Sequence, residues 1–131
     1  MKDIELGKLA EKAKAKAHAP FSNFHVGAAL ITKEGKVYEG ANIENSSYGL
    51  TVCAERTAVF QAVLQGEKEF DSIAIASDFE EFTPPCGACR QVLLDLCGTD
   101  LNVILINHKD EIKKFKLGEL IPHSFGKNYL K

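Results

Sequence analysis

The first segment of the chain carries apolar residues on one face of a helix. These residues are Leu6, Leu9, Ala10, Ala13 and Ala17. Their spacing of three and four positions predicts a helix over residues 3–18, and Pro20 is placed to end it.

Short apolar runs farther along the chain predict strands. Val26–Thr32 and Lys36–Gly40 flank the turn sequence Lys33-Glu34-Gly35 and suit a hairpin. Ile73–Ala76 and Val103–Ile106 are unbroken apolar runs. Such runs are typical of strands that are buried on both faces.

Two more helices are predicted between these strands, over Ala54–Leu64 and Gly87–Leu96, and a glycine follows each of them. Strands that are joined through helices favour a parallel core sheet with both faces covered. A short fifth strand, Ile112–Phe115, follows its predecessor after about five residues. A parallel crossover needs a dozen or more residues, so this last strand should be antiparallel to its neighbour.

The predicted fold is therefore α/β, a three-layer α/β/α sandwich around a mixed five-stranded sheet. The chain of 131 residues is expected to form one domain over residues 1–131.

Composition and charge narrow the class of partner. The net charge is −2, and two lysine runs (Lys12, Lys14, Lys16 and Lys113, Lys114, Lys116) suit solvent-exposed faces of amphipathic elements. Proteins that bind long nucleic acids usually carry a stronger basic excess, so nucleic acid is not an expected partner. No apolar stretch suggests a signal peptide or a membrane span, and a cytoplasmic location is expected.

The strongest chemical signal lies in Cys53-Ala54-Glu55 and Pro85-Cys86-Gly87-Ala88-Cys89. A single C-x-x-C pair could be a redox motif or half of a zinc ribbon. The third cysteine, two positions before a glutamate, favours a metal site in which three thiolates hold zinc. The fourth position then stays open for water, as in catalytic zinc sites.

Neither the fourth cysteine nor the histidines complete this ligand set. Cys97 follows Cys89 by eight residues, near the end of the same predicted helix, which is about 12 Å along the axis. Cys97 is therefore interpreted as a small buried apolar residue. The four histidines lack metal-binding spacing and are expected to have surface or packing roles: His18, His25, His108 and His123.

Several motifs together resemble one family. Zinc deaminases share H-x-E…P-C-x-x-C, with a variant in which cysteine replaces the histidine, and this chain has that variant. The further matches are Phe24-x-Val26-Gly27-Ala28-Ala29, Asn42-Ile43-Glu44-Asn45, Cys53-Ala54-Glu55-Arg56-Thr57-Ala58 and Pro85-Cys86-Gly87-Ala88-Cys89-Arg90-Gln91. In their order and across nearly the whole chain, they are similar to the small homotetrameric cytidine deaminases.

This resemblance implies a reaction and a metal. Free cytidine and deoxycytidine would be hydrolysed to uridine and deoxyuridine plus ammonia, as part of pyrimidine salvage. One Zn²⁺ per chain would be held by Cys53, Cys86 and Cys89, and a zinc-bound hydroxide would attack C4 of the base. Glu55 would act as the proton shuttle, and Arg56 would offset the charge of the thiolates.

The resemblance also implies the substrate contacts. Phe24 would pack on the pyrimidine, Asn42 and Glu44 would bind the ribose 3′-hydroxyl, and the Ala54 N–H would meet an oxygen of the base. Phe125 would reach into the pocket of a neighbouring subunit, so a homotetramer with shared active sites is expected.

Three alternatives remain open at this point. The chain could deaminate another substrate, such as the aminonucleoside antibiotic of the blasticidin deaminases, although Arg56 and Asn42-x-Glu44 favour the nucleoside. It could be a non-catalytic zinc domain, which Glu55 and the missing fourth ligand disfavour. It could edit polynucleotides, which the weak basic balance disfavours.

Overall fold

The computed structural model describes residues 1–130, in which five strands and four α-helices follow one another along the chain. In chain order they are α1 (Asp3–Ala13), β1 (Val26–Thr32), β2 (Val37–Ala41), α2 (Ala54–Leu64), β3 (Phe70–Ser77), α3 (Gly87–Cys97), β4 (Asn102–Ile106), β5 (Ile112–Lys116) and α4 (Leu117–Leu120). Single 3₁₀ turns lie at Lys14–Lys16, Tyr48–Leu50 and Lys127–Leu130. None of the helices within residues 1–130 is long and apolar enough to cross a membrane.

The strands form one mixed sheet in the order β2-β1-β3-β4-β5. Strand β5 runs antiparallel to β4, which confirms the prediction drawn from the short connection between them. The parallel part of the sheet is narrower than expected, because β1 lies between β2 and β3 and is antiparallel to both. Within residues 1–130, β3 and β4 are the one parallel pair.

Helices cover both faces of the sheet, which confirms the three-layer arrangement. The side chains of β1 point alternately to the two faces of the sheet. Ala28 and Leu30 pack in the hydrophobic core between the sheet and helices α2 and α3. The intervening Ala29 packs on the opposite face with Leu6 and Ala10 of α1. Successive side chains of a strand point to opposite faces, so one apolar run supplies both cores.

Helix α1 is shorter than predicted. It ends at Ala13 and passes into the turn Lys14–Lys16, well before Pro20. The chain leaves the helix because His18 pairs with Ile43, and its N–H donates to the Asn42 carbonyl at 2.9 Å. The helical spacing of Ala17 therefore does not correspond to a helical position.

Other boundaries differ by smaller amounts. Strand β3 extends to Phe70 and Ser77 on either side of the predicted apolar core, since its polar residues Ser72 and Ser77 are buried as well. Strand β2 is displaced by one residue at each end, and the short helix α4 has no counterpart among the predicted elements.

A close contact between β2 and α2 fixes the start of α2. A Cβ atom on Gly40 would lie 2.4 Å from the Ala54 carbonyl oxygen, so the strand approaches the helix backbone directly. The Thr57 hydroxyl bridges the two elements. Its oxygen accepts the Ala41 N–H at 3.0 Å, and its proton is shared between the Ala41 carbonyl at 3.0 Å and the Ala54 carbonyl at 2.9 Å. The first turn of α2 is thereby held against the end of β2.

Candidate metal centre and active site

Three cysteines meet where two helices begin. Cys53 is the N-cap residue of α2, Cys86 is the N-cap residue of α3, and Cys89 lies in the first turn of α3. Their three sulfur atoms lie within 4.8 Å of one another. The fold thus brings together the three thiols that the sequence predicts as ligands.

The spacing of the sulfur atoms fits a zinc ion. Zinc–sulfur bonds of about 2.3 Å in a tetrahedron place neighbouring sulfur atoms about 3.8 Å apart. In the structure, Cys53 Sγ is 3.9 Å from Cys86 Sγ, and Cys86 Sγ is 3.5 Å from Cys89 Sγ. Only small side-chain movements separate this arrangement from zinc-ligand geometry.

No fourth protein ligand joins the cluster within residues 1–130, where no other group of three or more metal-binding side chains is present. Cys97 ends helix α3 away from the cluster and is half-buried, rather than buried as the sequence predicted. Its partial burial raises the pKa of the thiol to about 12. These observations agree with the prediction that Cys97 and the histidines lie outside the site. Three ligands leave one tetrahedral position open.

The surroundings of Cys53 favour its thiolate form. A hydrogen bond with Cys89 and the charge and hydrogen bond of Arg56 lower the pKa of Cys53 to about 5, although burial opposes this shift. Its place at a helix N-terminus acts in the same direction. Metal binding requires deprotonated sulfur, so Cys53 is prepared to act as a ligand.

Arg56 contacts the cluster directly. Its Nη2 atom lies 3.4 Å from Cys53 Sγ and 3.2 Å from the Thr51 carbonyl oxygen. The Nε atom is buried and has no hydrogen-bond partner within residues 1–130. The guanidinium is thus held beside the thiolates at the start of α2.

Glu55 is almost completely buried, with 4% of its surface exposed. Burial raises the pKa of this carboxyl to about 7, and the neighbouring Cys53 thiolate acts in the same direction. Glu55 does not join the ligand cluster, yet it lies two residues after Cys53 and faces the same cavity. The site therefore combines a metal centre with a buried acid that does not coordinate it.

The cavity beside the metal centre has a volume of about 200 Å³. Cys53, Cys86 and Glu55 form its polar end. The rest of its wall comes from β1, the segment between β2 and α2, the first residue of α2, β3, and the loop before α3. The lining residues there are Val26, Asn42, Thr51, Ala54, Ile75, Thr83 and Pro84. The wall is mainly apolar with a few polar groups, as in many small-molecule sites.

Two of the predicted substrate-binding residues, Asn42 and Ala54, line this cavity. The Asn42 side chain also organises the wall: its Nδ2 donates to the Phe24 carbonyl at 2.9 Å, and its Oδ1 accepts from the Val26 N–H at 2.9 Å. Ala54 is the first residue of α2 and is fully buried.

Phe24, Glu44 and Phe125 lie outside the cavity wall. Phe24 is 38% exposed, and the Phe125 ring stacks on Tyr129 with their centroids 5.1 Å apart. Glu44 Oε1 accepts the N–H groups of Phe21 and Ser22, and Oε2 accepts the Ser22 hydroxyl. These bonds, with the Ser22 hydroxyl first, hold the pKa of Glu44 below its ordinary value. The substrate contacts of Phe24, Glu44 and Phe125 stay predictions.

Five lining residues were not among the predicted site residues: Val26, Thr51, Ile75, Thr83 and Pro84. Thr83 and Pro84 could have been found, because they lie just before Pro85-Cys86 and must come close to the metal centre. Val26 and Ile75 carried only a strand signal, which does not distinguish a cavity wall from the core.

Fold and site together define a class of protein. Three cysteines at two helix N-termini, with a buried glutamate two residues after the first, form the metal site of a zinc-dependent deaminase. Residues 1–105 match the cytidine and deoxycytidylate deaminase zinc-binding region. The chain belongs to this family and is a zinc-dependent enzyme.

Similar proteins cover nearly the whole chain. A cytidine deaminase of Halalkalibacterium halodurans is 49% identical over 118 residues, which span 90% of this chain and 89% of that protein. A cytidine deaminase of Mycobacterium tuberculosis is 40% identical over 129 residues, covering 96% and 93% of the two chains. The crystal structure of cytidine deaminase from Burkholderia pseudomallei superposes with a TM-score of 0.92 at 46% identity, covering 95% and 100%.

Proposed function

We propose that this chain hydrolyses the 4-amino group of free cytidine and deoxycytidine, giving uridine, deoxyuridine and ammonia in pyrimidine salvage. The observation that carries the proposal is the buried Glu55 carboxyl beside the three-cysteine cluster, at the polar end of one cavity. The relatives named cytidine deaminase support the choice of substrate.

Zinc held by Cys53, Cys86 and Cys89 would supply Lewis-acid activation of water near neutral pH. Among the wall residues described within 1–130, Glu55 is the one carboxyl group, and it lies outside the ligand cluster. It takes a proton from the attacking water and delivers it to ring N3. It then takes the proton of the new C4 hydroxyl and passes it to the amino group, which leaves as ammonia when the C4–N bond breaks. Its burial keeps bulk water from competing for these transfers.

Arg56 offsets an excess of negative charge. Three thiolates carry one more negative charge than a zinc ion neutralises, and this excess weakens the pull of the metal on water. A guanidinium 3.4 Å from Cys53 Sγ withdraws charge from that sulfur through a charge-assisted hydrogen bond.

The nucleoside contacts follow the family pattern. Phe24 packs on the pyrimidine, and the Ala54 N–H binds an oxygen of the base. Asn42 donates one Nδ2 proton to the Phe24 carbonyl and keeps a second one, with which it joins Glu44 at the ribose 3′-hydroxyl. Glu44 accepts a hydrogen bond from the ribose 3′-hydroxyl. A carboxylate has about four acceptor positions, and the Phe21–Ser22 segment uses three of them, which leaves one for the substrate.

The assembly is proposed to be a cytoplasmic homotetramer of single-domain chains, residues 1–131, with shared active sites. The supporting observation is the exposed Phe125, with 59% of its surface accessible in one chain. A phenyl ring with that exposure is suited to enter the pocket of a neighbouring subunit.

The central test removes the proton carrier while keeping the ligands. Glu55→Gln should fold and hold one zinc per chain, but lose about 10²–10⁴-fold or more in kcat, measured by the absorbance decrease as cytidine becomes uridine. Glu34→Gln, at an exposed turn, is the matched control and should keep full activity. Turnover of Glu55→Gln near that of the control would rule out the shuttle.

A second test concerns the group at the 3′ position of the ribose. If Glu44 binds the 3′-hydroxyl, replacing that hydroxyl by a phosphate removes a donor and places two negative groups together. Cytidine and deoxycytidine should both react, whereas 3′-CMP and a short cytosine-containing oligonucleotide should react far more slowly. Equal kcat/KM for all of them would favour a polynucleotide-editing enzyme. No turnover of any of them by the zinc-loaded protein would favour an antibiotic substrate or a non-catalytic zinc domain.

A further inference from the structure

Two hydroxyl side chains meet at the wall of the active-site cavity. Ser77 ends strand β3, and Thr83 lies in the loop that leads to Cys86. Ser77 Oγ and Thr83 Oγ1 are 2.6 Å apart, which is a short hydrogen bond. Thr83 lines the cavity together with Glu55 and Cys86.

The hydrogen bonds around Ser77 determine which hydroxyl donates. Ser77 is 7% exposed, and its oxygen already accepts the Phe79 N–H at 3.1 Å. Within residues 1–130, its hydroxyl proton has no acceptor other than Thr83 Oγ1. If Thr83 donated to Ser77, a buried hydroxyl proton would be left without a partner, which is costly. Ser77 therefore donates and Thr83 accepts.

The proton of Thr83 is then left without an acceptor in the described part of the chain, at a residue that borders the cavity. We propose that the Thr83 hydroxyl donates a hydrogen bond to an oxygen atom of the bound pyrimidine nucleoside. This assignment rests on the proposed function and adds a substrate-binding residue to it. The bond that Thr83 accepts polarises its hydroxyl and makes it a better donor.

The donor is held in position before the substrate arrives. Ser77 pairs with Val26 of β1, and the Asp78 N–H donates to the His25 carbonyl at 3.0 Å. On the other side, the rings of Pro84 and Pro85 restrict the backbone that follows Thr83. A preorganised donor loses little conformational entropy on binding.

The test replaces the hydroxyl by a methyl group of similar size. Thr83→Val should weaken binding of uridine, measured by calorimetric titration of the zinc-loaded protein, by about 3- to 10-fold. The KM for cytidine should rise by a similar factor while kcat changes less than about 2-fold, because the bond is present in ground state and transition state alike. Thr83→Ser keeps the hydroxyl and should restore most of the affinity. Thr99→Val, at an exposed threonine, is the matched control and should behave as the wild type.

Zinc content is measured for each variant and should match the wild type. The melting temperature of Thr83→Val should be lower than that of the wild type, because Ser77 loses its acceptor, and Thr83→Ser should restore it. Uridine affinity of Thr83→Val equal to that of Thr99→Val overturns the assignment, even if the wild type deaminates cytidine. Thr83→Ser as weak as Thr83→Val overturns it as well, because the methyl group rather than the hydroxyl would then matter. A wild type that neither binds uridine nor deaminates cytidine overturns the proposed function, and this assignment with it.

Discussion

Gly40 lies where strand β2 passes closest to helix α2, and replacing it by alanine tests how the fold holds the site. A Cβ atom there would lie 2.4 Å from the Ala54 carbonyl oxygen, 2.5 Å from the Ala58 nitrogen and 2.5 Å from Thr57 Oγ1. The first two are backbone atoms, which cannot rotate away as a side chain can. Gly40→Ala must therefore move β2 and the first turns of α2 apart.

The cost can be worked out from these contacts. Forcing extra atoms into a packed interior typically costs about 1–3 kcal/mol. The Thr57 hydroxyl also bridges Ala41 and Ala54 at about 3 Å, and stretching one such bond costs on the order of 1 kcal/mol. The free energy of unfolding should fall by roughly 3 kcal/mol, and the melting temperature by on the order of 10 °C.

The effect should extend to the metal. Because α2 begins at Cys53, its displacement changes the position of one thiolate relative to the two on α3, and zinc affinity should fall with stability. The assays are denaturant unfolding of the zinc-loaded protein and zinc transfer to a competing chelator.

Gly49→Ala is the matched control, because no atom lies within 4 Å of the Cβ it would add. It also accounts for the entropy that alanine removes from the unfolded chain. If the free energy of unfolding of Gly40→Ala lay within about 0.5 kcal/mol of that of Gly49→Ala, the close-contact argument would be refuted. A destabilised variant with unchanged zinc affinity would refute the link from the strand to the metal centre.

Two further predictions concern residues near the metal centre. Cys97→Ala should keep one zinc per chain and full activity, because its thiol lies outside the ligand cluster; a zinc-free variant in elemental analysis would show that the ligand set is wrong. Arg56→Ala should lower kcat or zinc retention more than it raises KM, because Nη2 contacts Cys53 Sγ; a change confined to KM would contradict the role on the thiolates.

Local signals in the sequence predicted several elements well. The bounds of β1 and α2 agree with the structure, because an apolar run defines the strand and an apolar stripe followed by Gly66 defines the helix. Gly66 adopts a φ of 90°, a left-handed conformation that glycine adopts readily at the end of a helix. These features depend on neighbours within a few residues, and their pattern is visible in the sequence.

Features that depend on distant residues were not visible. The position of β1 between β2 and β3 cannot be read from the apolar runs of β1 and β3. Each of these runs suits a parallel neighbour as well as an antiparallel one. The early end of α1 depends on the pairing of His18 with Ile43, which lie 25 positions apart. The Ser77–Thr83 hydrogen bond likewise connects a strand end to a loop whose path the pattern does not define.

The metal centre was predictable because two helix starts supply its ligands, and one of them places four site residues in consecutive positions. Cys53 caps α2 and offers a sulfur, Ala54 offers a backbone N–H, Glu55 offers a carboxyl, and Arg56 reaches back to the sulfur. The geometry of an N-terminal helical turn fixes these four positions relative to one another, so their spacing in sequence determines their spacing in space. The substrate side has no such constraint: its wall comes from β1, β3 and the loop before α3, which only the tertiary fold brings together. The ligands and the buried carboxyl are therefore encoded in two short segments at helix starts, whereas the shape of the cavity depends on the packing of the sheet.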